Sequence, residues 1–187
     1  VADLDDLLER KPGRVLLLGT EDGVAELIGP RLKAAGADES LTIEIYGVTH
    51  DGTRDLFSMQ DDIEAMRALV RQYADSEVPV RMLIIDPITA YLSGQKVRKV
   101  DLADNGQLRA ILTPWLELAQ ETGIAIVCIT HMAKDTARQV LHRVLGAGVF
   151  THTARSVLVV AKLEAETEGN YAKAVLQVKG DLPETVK

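Results

Sequence analysis

The sequence predicts an α/β fold: a mainly parallel sheet with helices on both faces and an antiparallel hairpin near the C-terminal end. Three observations carry this. Short unbroken apolar runs recur along the chain, stretches of helical spacing separate most of them, and the last two runs are joined by a polar segment alone.

Arg14 to Gly19, RVLLLG, follows the turn signal Pro12-Gly13 and suits a strand covered on both faces. Asp22 to Ala35 then puts Ala25, Ile28, Leu32 and Ala35 on one side of a helix, with Gly36 placed to stop it. The pattern repeats with a strand over Leu41 to Tyr46, a polar loop from His50 to Arg54, a helix over about Gln60 to Ala74 and a strand over Arg81 to Ile85. A longer helix, about Asn105 to Glu121, leads through Gly123 into the strand Ile124 to Ile129. On that helix Leu108, Leu112, Trp115 and Leu116 read as one core-facing side. Ser156 to Ala161 and Lys173 to Val178, joined by Glu164 to Asn170, read as a hairpin closing the sheet.

The 187 residues, 47% of them apolar, suffice for one substantial core, and a single domain over 1–187 is expected. A formal charge of −7 argues against a surface that coats nucleic acid or an anionic membrane, while leaving room for a local basic loop. The single Cys128 cannot form an internal disulfide and reads as a small buried hydrophobe in a reducing compartment, so the cytoplasm is expected. No apolar run approaches the roughly 20 residues that span a bilayer. The chain begins at Val1 rather than Met and stops shortly after a strand, so both ends are expected to be cut.

In open parallel sheets ligands sit beyond the carboxyl ends of the strands. Three runs end suggestively, in Glu21-Asp22, in Asp86 and in Thr130-His131. If those strands are neighbours, Glu21, Asp86 and His131 converge. An apolar run capped by Asp86 has the form of a Walker B strand, whose carboxylate holds Mg through water beside phosphates. Glu21 suits a base for the attacking water, and His131 a group that senses or polarises the terminal phosphate. Read singly, each is equally an ordinary strand end or a hydrogen-bonded histidine.

The segments PGRVLLLGTEDG, GPRLKAAGAD, LIIDPITAYLSG, LTPWLELAQETGIAIVCITHMAK and TARSVLVV, in this order, resemble the RepA-like, AAA-type branch of the RecA-like ATPases, which includes plasmid and phage hexameric helicases. The resemblance implies ATP and Mg as cofactors, Glu21 as catalytic base, Asp86 as the Walker B carboxylate and His131 as phosphate sensor. It makes Arg155 an arginine finger acting in the neighbouring subunit, and Lys179 a second basic position near the nucleotide at that interface; a surface cation is the plain alternative for both. It further implies a homo-oligomer, as a hexameric ring, with two loops lining a central channel. One holds Lys96, Arg98 and Lys99, the other Lys134, Arg138 and Arg143. Basic charge there, in an acidic chain and without aromatic residues, fits contact with the phosphates of single-stranded DNA irrespective of sequence.

One part of the pattern is missing. No lysine is followed by Ser or Thr, so the GxxxxGK[ST] loop that cradles phosphates is absent. The Walker A segment is expected upstream, in roughly 30 or more residues. A trimmed ATPase explains this, as does a catalytically inactive RecA-fold assembly module; a recombinase-type ATPase shares the same core. A metal-dependent hydrolase ligated by Glu21, Asp86 and His131 is the remaining alternative.

Overall fold

The first apolar run becomes strand β1 (Arg14–Gly19) in the computed structural model. After it come a π-helical turn, Val24–Ile28, that runs into α1 (Gly29–Ala34), and then β2 (Thr42–Glu44), β3 (Val48–His50) and β4 (Thr53–Asp55). Next are α2 (Ile63–Gln72), β5 (Val80–Asp86), α3 (Asn105–Thr122) and β6 (Ala125–Cys128). The last elements are α4 (Ala147–Thr153), β7 (Val157–Glu164) and β8 (Tyr171–Lys179). The structure describes residues 12–19, 24–50, 52–92, 100–131, 147–164 and 171–180. They fall into two compact units, Val1–Val100 with Ala110–Thr130, and Asp101–Arg109 with His131–Lys187.

The first unit is built on a four-stranded sheet in the order β2-β1-β5-β6, every pair parallel. Register sorts its side chains onto two faces. Leu16 and Leu18 align with Leu83 and Ile85, and all four have no accessible surface. The guanidinium of Arg14, on that same face of β1, lies 4.9 Å from the centre of the Tyr73 ring just past α2, so this face turns toward α2. An ion pair between Arg67 and Glu121 joins α2 to α3. Val15 and Leu17 align with Met82 and Ile84 on the opposite face, where α1 lies. There Ile28 and Leu32 help line a cavity of about 560 Å³ with Val15, Leu17 and Ile84. One face of the sheet is therefore closed and the other only partly covered. The fold is α/β and RecA-like, as the alternation of strands and helices predicts.

Local chemistry sets the element ends. In α1, Pro30 stands in the first turn, where its fixed φ already suits the helix. Gly36 (φ 74°) ends it: its N–H donates to Lys33 O and that of Ala37 to Leu32 O, a pairing that needs a left-handed residue between. The start of α3 is capped by Asp104, whose carboxylate accepts from the N–H groups of Gly106 (2.8 Å) and Gln107 (3.1 Å).

The core on the closed face gathers around Trp115. It is 3% exposed, donates Nε1–H to Met59 O at 2.9 Å and meets Phe57 edge to face at 6.0 Å. Met59 N and Gln60 Nε2 in turn donate to Tyr91 O and Leu92 O, which ties the turn before α2 to the segment after β5.

Several expectations need correction. Leu116 is 39% exposed, because one residue along a helix from Trp115 is about 100° around it. Cys128 is exposed rather than buried, since β6 is the edge of its sheet. The stretch around His50 to Arg54 is a small antiparallel hairpin, β3 with β4, instead of a plain loop. The strand foreseen to Tyr46 pairs only as far as Glu44, followed by one more bond, Ile45 N to Leu17 O. The helix foreseen from Asp22 enters through the π-helical turn.

In the second unit β7 and β8 pair antiparallel, from Glu164↔Tyr171 to Val157↔Lys179. The hairpin is thus present. Among the described residues these strands form a sheet of their own, and this corrects the expectation that they extend the parallel one.

Candidate nucleotide site

The carboxyl ends of β1, β5 and β6 come out side by side at one edge of the parallel sheet, with β5 in the middle. Asp86 is the last residue of β5 and lies in register with Gly19, the last of β1. Both line the cavity under α1, together with Arg31 and Asp38. Beyond Asp86 the chain crosses a cis peptide to Pro87 and turns through Ile88–Ala90. Ile88 N donates to Ile129 O and Ile129 N to Ile85 O, which fixes the exit of β6 against that of β5. These bonds give the edge a definite backbone.

Thr130 follows at the exit of β6. Its Oγ1 is shut off from solvent and has no hydrogen-bond partner among the described residues. A buried hydroxyl normally finds a partner, and this one sits where β6 leaves the sheet, next to the strand that ends in Asp86. The sequence names Thr130 only as the neighbour of His131, and nothing in its composition marks the hydroxyl as orphaned. The signal is purely geometric.

The other residues singled out in the sequence are distributed as follows. Glu21 lies outside the described residues, two positions past Gly19. His131 is exposed and belongs to the second unit. So does Arg155, which follows α4, is exposed and makes no ion pair among the described residues. Lys179 ends β8 and is half-buried; its Nζ donates to the backbone oxygens of Thr151 (2.7 Å), His152 (2.8 Å) and Ala154 (2.6 Å). Lys96, Arg98, Lys99, Lys134, Arg138 and Arg143 lie outside the described residues.

A carboxylate at a strand's carboxyl end suits a hydrated divalent cation bound to phosphates, where water fills most of the coordination shell. Among the described residues no group of three or more His, Cys, Asp or Glu stands together as a metal cage. Again among the described residues, no helix is long and apolar enough to cross a membrane.

A family model described as an AAA domain matches residues 2–137. No curated protein matches the chain.

Proposed function

The chain belongs to the AAA domain family, of the P-loop nucleotide-hydrolysing type, and on that premise we propose that it is the core of an ATP-driven motor on single-stranded DNA. The kind of motor is a RepA-like replicative helicase, working as a hexameric ring in the cytoplasm. The observation that carries the reading is the parallel alignment of β1, β5 and β6, with Asp86 at the carboxyl end of the middle strand and lining the cavity under α1.

Magnesium-bound ATP, when present, supplies the phosphoryl group and a divalent charge against its phosphates. Asp86 would hold the ion through water. Glu21 would take a proton from the attacking water, and His131, next in the chain to Thr130, would hydrogen-bond the terminal phosphate. Arg155, exposed and without an ion-pair partner among the described residues, suits a finger that stabilises charge in a neighbouring subunit. Lys96, Arg98, Lys99, Lys134, Arg138 and Arg143 would hold DNA phosphates in the ring's channel.

Topology supports a Walker A unit ahead of β1. From β1 to β2 the chain moves one way across the sheet, with α1 on the Leu17 face; from β2 to β5 and on to β6 it moves back, with α2 and α3 on the Leu16 face. Both directions obey the right-handed crossover rule. A strand added outside β6 and leading into β1 would travel in the β1-to-β2 direction, so its helix would lie on the Leu17 face. That face is the partly covered one, and Val127 of β6, in register with Ile84, is 40% exposed on it. One strand–loop–helix unit would both pair with β6, the outermost strand among the described residues, and cover that face.

The test is magnesium-dependent ATP binding and hydrolysis by this chain, beside a version extended upstream through a GxxxxGK[ST] loop. Activity in the extended form alone is expected. If neither form binds ATP, the motor reading fails and a RecA-fold assembly module replaces it.

A further inference from the structure

We infer that Lys179 is a positioning residue for Arg155: it clamps the end of α4 and so fixes the backbone from which the arginine projects. The inference deepens the proposed function and rests on its assignment of Arg155 as the finger.

A helix leaves its last carbonyls without partners, and α4 meets this problem at the residues just before Arg155. Ala154 N donates back to Phe150 O at 3.0 Å, which accounts for one of them. The oxygens of Thr151 and His152, together with that of Ala154 beyond the helix, all accept from the single ammonium of Lys179. An ammonium has three N–H donors, and here all three are used. Its charge also lies at the negative end of the helix dipole. No donor of Lys179 is left for a phosphate.

The clamp comes from the far end of the hairpin. Lys179 aligns with Val157 at an irregularity, since the next pair is Leu158↔Gln177 and Val178 is skipped. Gly180 follows at φ 103°; a Cβ there would lie 3.0 Å from Arg155 O and 3.3 Å from Ser156 Cα. The backbone of β8's exit is therefore pressed against that of Arg155 itself. Lys179 holds the residues before the arginine, and Gly180 packs on the arginine's own carbonyl. The guanidinium stays exposed, on a stalk anchored at its base.

Two measurements test this. Unmodified chain treated with acetic anhydride should acetylate Lys179 about tenfold more slowly than exposed Lys33, because a hydrogen-bonded ammonium must first break free; equal rates would overturn the clamp. In the version extended through a GxxxxGK[ST] loop, Lys179→Met should lower kcat about tenfold with KM little changed, the sign of an interaction felt in the transition state. It should add little to the loss caused by Arg155→Ala, and Lys179→Arg should restore part of it. A raised KM, or losses that multiply in the double variant, would make Lys179 a nucleotide contact instead and overturn the inference. Should Arg155→Ala leave turnover untouched, the finger reading fails by itself, and the acetylation rates still decide whether the clamp exists.

Discussion

Replacing Trp115 by Phe should destabilise the protein by about 2–4 kcal/mol, and the contacts of its indole show where that comes from. The indole is 3% exposed, and its N–H donates to Met59 O, itself on a residue only 2% exposed. Phe keeps an aromatic face for Phe57 but has no donor. Leaving a buried carbonyl unsatisfied costs about 1–3 kcal/mol, and the space vacated by the five-membered ring adds about 1 kcal/mol. Urea unfolding followed by far-UV circular dichroism measures the difference without relying on fluorescence, which this substitution removes along with the only tryptophan. The neighbouring Leu116, 39% exposed, supplies the control: Leu116→Ala should cost under about 1 kcal/mol. Equal losses for the two variants, or a loss under about 0.5 kcal/mol for Trp115→Phe, would refute the assignment of Trp115 as the anchor of this core.

Other outcomes follow from single sites. Gly36→Ala should cost about 1 kcal/mol through backbone conformation alone, because φ is 74° and no atom lies within 4 Å of the added Cβ; a thermal melt unchanged by the substitution would contradict the left-handed cap. The protein around Cys128 pushes its thiol up to about 11 although the residue is exposed, so its alkylation should keep accelerating as pH rises past 9, with a plateau near ordinary thiol values counting against it. Hydrogen bonds from Gln107 and then Gly106 hold the Asp104 carboxyl below its usual range. Its contribution to the start of α3 is therefore present above the ordinary carboxylate range and is lost as pH falls through the lowered value, which amide exchange at Gly106 and Gln107 would follow. On the proposed reading, a version extended upstream through a GxxxxGK[ST] loop should lose turnover but keep ATP binding on Glu21→Gln, and mixing it with Arg155→Ala subunits should restore part of the activity; no rescue would confine Arg155 to its own subunit.

The elements legible in the sequence were those with enough residues to show a period. β1, β5, β6 and α3 end within a residue or two of where their apolar runs and glycines put them, because a strand buried between neighbours tolerates few polar positions. β3 and β4, each of three residues, are too short to alternate visibly, although Asp51-Gly52 between them is a known hairpin pair and Gly52 has φ 80°. Leu116 was misplaced because, at about 100° per residue, it lies at the rim of the stripe that Leu108, Leu112 and Trp115 bury, and apolar character alone does not show where the stripe stops. Asp86 was found as the polar stop of an apolar run. The orphaned hydroxyl of Thr130 and the three carbonyls around Lys179 were not, since a missing partner and a backbone acceptor leave no trace in residue types.

The sequence of β6, AIVC, also bears on how the chain behaves in a test tube. An outermost strand normally carries a lysine, a proline or a bulge that discourages other chains from pairing with it, and Ala125, Ile126, Val127 and Cys128 provide none. With β6 outermost among the described residues, the chain should self-associate as its concentration rises, and Val127→Lys should raise its solubility.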